Sequence, residues 1–197
     1  VLNAYLERID AKHRIQVSAD GIWADDTHRT HLFVHADPTL LCLSLSGRLP
    51  ARPESPWAQR IRMVEAVTWL NLSQRLGDEF FDGQVVADLL DRLPDGANLF
   101  AGNSLPVRHV EQFARPSTKH LHIFANRGAS GIDGNVSTAL GIAAATGKPT
   151  VLLVGDITLY HDMNGLLAVR NCGVDNLTIV LLNNDGGGIF QRLPVSK

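Results

Sequence analysis

The stretch VLLVGDITLYHDMNGLLAVRNCGVDNLTIVLLNNDGGGIF, residues 151–190, decides the fold. Its two apolar runs, VLLV and LTIVLL, each stop abruptly in polar residues. The first ends in Gly155-Asp156 and the second in Asn183-Asn184, which is followed by Asp185 and three glycines. Continuous apolar runs of this length, separated by a segment of helical pattern, fit strands covered on both faces. Two buried strands that both end in oxygen-bearing side chains point to something charged bound at those ends.

Working outward, the same alternation begins at Asn98. NLFAGN precedes a helical pattern over 104–113, HLHIFAN precedes one over 135–146, and PTVLLVGD precedes one over 161–171. This predicts an α/β fold, a parallel sheet with helices on both faces. Open sheets of this kind bind ligands beyond the carboxyl ends of their strands, where Asn103-Ser104, Asn126-Arg127-Gly128, Gly155-Asp156 and Asn183-Asn184 all fall. Before residue 50 the runs RIQVSADG, THLFVHAD and LLCLSL predict short strands separated by turns, the tail of a second α/β domain. Helical patterns follow over 61–76 and 84–93. The expected division is the end of a central domain over 1–47, a connecting segment with a helix over 48–83, and a truncated ligand-binding domain over 84–197.

With 197 residues, 45% of them hydrophobic and 19% charged, the chain can bury a sizeable core. A formal charge of −2 gives no basic field for nucleic acid. No apolar run approaches the roughly 20 residues that span a bilayer. Cys42 and Cys172 are too few for a disulfide framework and fit free thiols in a reducing cytoplasm. The N-terminus lacks an initiator methionine and a signal-peptide layout, so the chain is expected to begin inside a longer protein.

Between Asp156 and Asn183 stand 26 residues. A carboxylate at one strand end and an amide oxygen at the next can converge on a hard divalent cation, with a backbone carbonyl and a diphosphate completing the octahedron. Glycines would let the backbone approach the phosphates. Equally, Asp156 could cap the following helix and the asparagine pair could form a turn. Read from the residues alone, both explanations stand.

Three other patterns carry less. His28, His31 and His35 are spaced like zinc ligands, yet His28 falls in a turn before the strand that carries the other two. GIAAATGKP misses the P-loop spacing and has Pro149 in place of the hydroxyl residue. GASGIDG is not GxGxxG, and no GxSxG surrounds Ser104.

The glycine-aspartate, the gap and the paired asparagine resemble the metal and cofactor signature of the thiamine diphosphate-dependent decarboxylases and carboligases. Four blocks in order, GNSLPVR (102–108), NRGASGIDG (126–134), VGDITLYHDMNGL (154–166) and NNDGGGIF (183–190), are similar to the 2-succinyl-5-enolpyruvyl-6-hydroxy-3-cyclohexene-1-carboxylate synthase family of menaquinone and phylloquinone biosynthesis. Ile157, where many relatives have a third glycine, agrees with that family. Asp185 and Gly188 stand at positions that vary across the superfamily.

The resemblance implies a Mg²⁺- or Mn²⁺-dependent transferase that decarboxylates 2-oxoglutarate and adds the succinyl carbanion to isochorismate. It implies that Asp156, Asn184 and the Gly186 carbonyl bind the metal. Gly131, Ile132, Gly155, Asp156, Ile157, Asn184, Ile189 and Phe190 would bind thiamine diphosphate, with Ile132 supporting its bent form. Ser104, Arg108 and Arg127 would face the substrates. It further implies a cytoplasmic homodimer or homotetramer of the complete protein, with the site at a subunit interface. The catalytic glutamate is expected outside this chain, so a catalytic residue is unknown here. The alternatives are a carboligase of the acetolactate synthase type and a noncatalytic dinucleotide-binding module.

Overall fold

A computed structural model describes residues 2–75 and 80–192. The chain divides into two compact units, Val1–Val64 and Glu65–Lys197, which part within one helix.

The first unit holds α1 (Leu2–Arg8), β1 (Ile15–Ser18), β2 (Leu32–His35), α2 (Pro38–Ser46) and the start of α3 (Pro56–Arg75). β1 and β2 pair in parallel, with Val17 beside Val34. Arg14 donates to the carbonyls of Leu6 (2.5 Å) and Ile9 (2.8 Å), satisfying orphan acceptors at the end of α1. LLCLSL, expected as a strand, lies inside α2. A short apolar run does not tell strand from helix, and here the start signals decide. Asp37 is the N-cap, its carboxylate accepting from Leu40 N, and Pro38 fits the first turn, where no N–H is needed.

The second unit holds α4 (Asp82–Arg92), β3 (Asn98–Ala101), α5 (Leu105–Phe113), β4 (His122–Phe124), α6 (Asn135–Thr146), β5 (Thr150–Gly155), α7 (Asp156–Asp162), α8 (Leu167–Cys172) and β6 (Leu177–Leu182). The strands form one parallel sheet in the order β4-β3-β5-β6. The helix expected over 61–76 is the later part of α3, with Leu76 outside the described residues.

Every residue of β3 and β5 is buried, which is why their sequences run apolar without alternation. Their side chains feed two cores. Leu99, Ala101, Val151 and Leu153 pack with Val86 and Leu90 of α4 and Val110 of α5. Phe100, Leu152 and Val154 pack on the opposite face with Val136, Ala139 and Leu140 of α6. Each fully buried Leu, Val or Phe contributes roughly 1.5 to 3 kcal/mol through removal of apolar surface from water.

The strand order reverses between β3 and β5: the chain leaves β3 toward β4 on one side, then crosses back to β5 on the other. The carboxyl ends of these two strands therefore flank a crevice, the usual ligand position in an open α/β sheet. Gly102 allows the close approach at its mouth, because a Cβ there would stand 2.9 Å from the Leu153 carbonyl oxygen.

Candidate functional site

A cavity of about 530 Å³ occupies this crevice. Ser104, Arg108 and Arg127 line one part of it; Gly155, Asp156, Ile157 and Asn184 line another; Ile132, Ile189 and Phe190 supply apolar wall. The structure thus brings together residues from four separate loops. Gly131 and Gly186 stand outside the lining, each next in sequence to a residue that belongs to it, Ser130 and Ile132 for the first and Gly187 for the second.

Asp156 is the first residue of α7, and Gly155 is its extended N-cap. Its carboxylate makes no hydrogen bond among the described residues, so it does not cap the helix and keeps its oxygen lone pairs for a ligand. Across the crevice the chain leaves β6 in a tight turn. Asn183 Oδ1 accepts from Asp185 N (3.1 Å) and Asn184 Oδ1 from Gly188 N (3.2 Å). Asp185, Gly186 and Gly187 take φ of 60°, 84° and 66°, a left-handed run that only glycine adopts without strain at two successive positions. Gly188 is required for a different reason: a Cβ on it would fall 2.9 Å from Asn184 Cγ. Ile157 closes against this turn, its Cδ1 lying 3.3 Å from where a Gly186 Cβ would be.

A carboxylate, an amide oxygen and a backbone carbonyl form an all-oxygen donor set, the kind a hard divalent cation takes. The residues present therefore fit a Mg²⁺–diphosphate group. Among the described residues no three His, Cys, Asp or Glu side chains group to hold a metal ion. The three histidines of residues 28–35 do not group as a metal site: His31 Nδ1 accepts from Arg14 N (3.1 Å), His35 Nε2 pairs with the Ala19 carbonyl (2.9 Å), and His28 takes φ 51° in the turn before β2.

On the β3 side, Ser104 adopts φ 75° and ψ −128°, a conformation rare outside glycine that costs about 1 to 3 kcal/mol and gathers at functional sites. Arg108, one turn into α5, donates from Nη1 to the Ser104 carbonyl at 2.5 Å. Asn103 is fully buried and hydrogen-bonded through every polar group of its side chain. Its Nδ2 donates to the carbonyls of Asn126 (3.0 Å) and Gly131 (2.5 Å), and its Oδ1 accepts from Arg127 Nη1 at 2.8 Å. Its own N–H donates to Asn135 Oδ1 at 3.2 Å. In the sequence Asn103 stands out only as part of a polar cluster. Its partners lie 23 to 32 residues away, and no local signal announces them.

A second cavity, of about 390 Å³, lies in the first unit beside Leu6, Arg14 and Asp25. The Asp25 carboxylate there is saturated by Thr27, Arg29 and Thr30, which hold it well below the usual carboxylate range. Its groups are spent on the turn.

The class follows from comparison with known proteins. Residues 106–195 match the family model described as thiamine pyrophosphate enzyme, C-terminal TPP binding domain. Curated relatives named 2-succinyl-5-enolpyruvyl-6-hydroxy-3-cyclohexene-1-carboxylate synthase include one from Roseiflexus castenholzii, 56% identical over the whole of this chain and covered over 34% of its own length. Others come from Geobacillus thermodenitrificans (46% identical over 90% of this chain, 30% of the relative) and Haloarcula marismortui (40% over 98%, 32% of the relative). The chain belongs to the 2-succinyl-5-enolpyruvyl-6-hydroxy-3-cyclohexene-1-carboxylate synthase family of thiamine pyrophosphate enzymes. It spans about a third of the length of the relatives it matches.

Proposed function

We propose that this chain supplies the metal- and diphosphate-binding half of a thiamine diphosphate-dependent synthase that decarboxylates 2-oxoglutarate and adds the succinyl unit to isochorismate. The observation that carries the reading is the cavity at the strand-order reversal, lined by a carboxylate with no hydrogen-bond partner among the described residues, an asparagine-glycine turn and two arginines. In this reading residues 1–47 end a central domain, 48–83 connect, and 84–197 form the pyrophosphate-binding domain. The complete protein is a cytoplasmic homodimer or homotetramer with its site at a subunit interface, and the catalytic glutamate comes from outside this chain.

Thiamine diphosphate, when bound, supplies the electron sink for decarboxylation. Asp156 and Asn184, with the Gly186 carbonyl, would hold Mg²⁺, and the glycine turn would leave room for the cofactor's phosphate oxygens. Gly131, Gly155 and Ile157 complete the cofactor cradle. Ile132, Ile189 and Phe190 give the apolar wall that keeps water from the reacting centre. Ser104, Arg108 and Arg127 bind substrate carboxylates. Both proposed substrates are dicarboxylates, and a planar guanidinium pairs with a carboxylate through two parallel hydrogen bonds.

The test uses the complete protein with Mg²⁺ and thiamine diphosphate, offered 2-oxoglutarate or pyruvate together with isochorismate. Isochorismate consumption with 2-oxoglutarate and not with pyruvate is expected. Preference for pyruvate would move the chain to the acetolactate synthase type, and binding of NAD without thiamine diphosphate would make it a noncatalytic module.

A further inference from the structure

We infer that Asn103 is a positioning residue that fixes the direction of the Arg127 guanidinium and ties it to the strained Ser104 turn. The inference rests on the proposed function for its kinetic assay and on the geometry alone for its spectroscopic one.

An asparagine side chain offers one acceptor oxygen and two donor hydrogens, and here all are matched. The two donors go to Asn126 O and Gly131 O, closing the loop between β4 and α6 at both ends. The oxygen is left for Arg127 Nη1 at 2.8 Å. Arg127 lines the cavity, and it is in this loop, between the two carbonyls that Asn103 clamps. Guanidinium and loop are thus held from one buried point. The backbone N–H of Asn103 in turn donates to Asn135 Oδ1, and Asn135 Nδ2 returns to the carbonyls of Gly131 (3.4 Å) and Asp133 (3.0 Å). The next residue is Ser104, at φ 75°. A strained turn persists only where its neighbours over-determine it, and Asn103, with no exposed surface, is the neighbour anchored both on the β4–α6 loop and on the first residue of α6.

No other residue type reproduces this set. Aspartate keeps the shape and an acceptor for Arg127 but loses both donors. Alanine loses everything and leaves two carbonyls unpaired in a closed space. Because Arg127 extends to this one oxygen, its rotation is restricted before substrate arrives, so it need not be ordered on binding.

The experiment combines a double-mutant cycle with a spectroscopic readout, both on the complete protein. N103A is expected to lower kcat/KM for 2-oxoglutarate at least tenfold with cofactor affinity within about threefold of wild type. In the R127A background the same change is expected to lower it less than threefold further, because the guanidinium it positions is gone. Fully additive losses would mean that Asn103 acts only through general stability and would overturn the inference. Should N103A not fold, N103D is read instead: it is expected to melt lower while keeping turnover within about threefold, since Arg127 retains its acceptor. N103D that folds yet loses as much turnover as R127A overturns the inference equally.

Arginine-selective ¹⁵N NMR reads the position without any turnover. Restricted rotation of the Arg127 guanidinium, assigned by its loss in R127K, should be present in wild type, kept in N103D and lost in N103A. Free rotation in wild type would sink the positioning role whatever the substrate proves to be. Restricted rotation in a protein that leaves 2-oxoglutarate untouched would support it and overturn the proposed substrate instead.

Discussion

Replacing Gly188 by alanine tests the asparagine-glycine turn through one methyl group. Gly188 lies outside the left-handed region, so alanine meets no backbone penalty, and the effect is steric. The added Cβ would sit 2.9 Å from Asn184 Cγ and 3.0 Å from its Oδ1, where ordinary contact begins at 3.4 Å. The amide must therefore move by about 0.5 Å, and it gives up its hold on Gly188 N in doing so. An oxygen that ligates Mg²⁺ cannot shift so far and keep near-ideal octahedral geometry. Disturbing the groups that orient a metal ligand typically costs about 10- to 100-fold in affinity. The assay is calorimetric titration of Mg²⁺ into the complete protein with thiamine diphosphate in excess. G141A is the control: that position is an exposed helical glycine with nothing within 4 Å of its Cβ, and alanine there raises helix propensity by about 1 kcal/mol. A G188A protein that folds and binds Mg²⁺ within twofold of G141A would refute the assignment of Asn184.

R108A and R127A should each leave cofactor binding nearly intact and lower kcat/KM about tenfold to a hundredfold, as expected for loss of one charged hydrogen bond; loss of cofactor with normal turnover at saturation would put them on the wrong ligand. G102A should destabilise by about 1 to 3 kcal/mol, because its Cβ meets the backbone oxygen of Leu153 at 2.9 Å and neither strand can yield; a melting point equal to wild type would contradict the tight β3–β5 approach. His109 is buried, among the described residues neither of its ring nitrogens is hydrogen-bonded, and burial holds its pKa below the ordinary imidazole range despite Asp82 Oδ2 at 3.6 Å. Below about pH 6.5 the unfolded chain therefore binds a proton that the folded one refuses. Stability should be full above that pH and fall as pH drops toward the lower folded value, and H109L, read by denaturant titration from pH 7 to 5, should flatten the fall.

The sheet was legible because burial on both faces leaves a plain mark. VLLVG and NLFA have no polar alternation, and they are the two central strands. The gathering of Asp156 and Asn184 into one crevice was legible because they sit at or just beyond strand ends, which parallel topology brings together. Legibility failed where long-range contacts decide. The single helix expected over 161–171 breaks into α7, a 3₁₀ turn over Met163–Leu166 and α8. The break comes where Asp162 accepts from Ser137 N (2.8 Å) and Oγ (3.0 Å), and where a Cβ on Gly165 would stand 2.7 Å from the same hydroxyl. Neither contact can be read from a helical period. The φ of 75° at Ser104 is equally silent in sequence, because strain of this kind is usually announced by glycine.

Under the proposed function the Asp156 carboxylate would join the chain to a diphosphate through a divalent cation. Thiamine diphosphate binding to the complete protein, measured by calorimetry with and without Mg²⁺ for wild type and D156A, tests it most directly. Mg²⁺-dependent binding is expected in wild type and none in a folded D156A, because the diphosphate would then face the crevice without its cation. Equal affinity in the two proteins, with the same dependence on Mg²⁺, would contradict it.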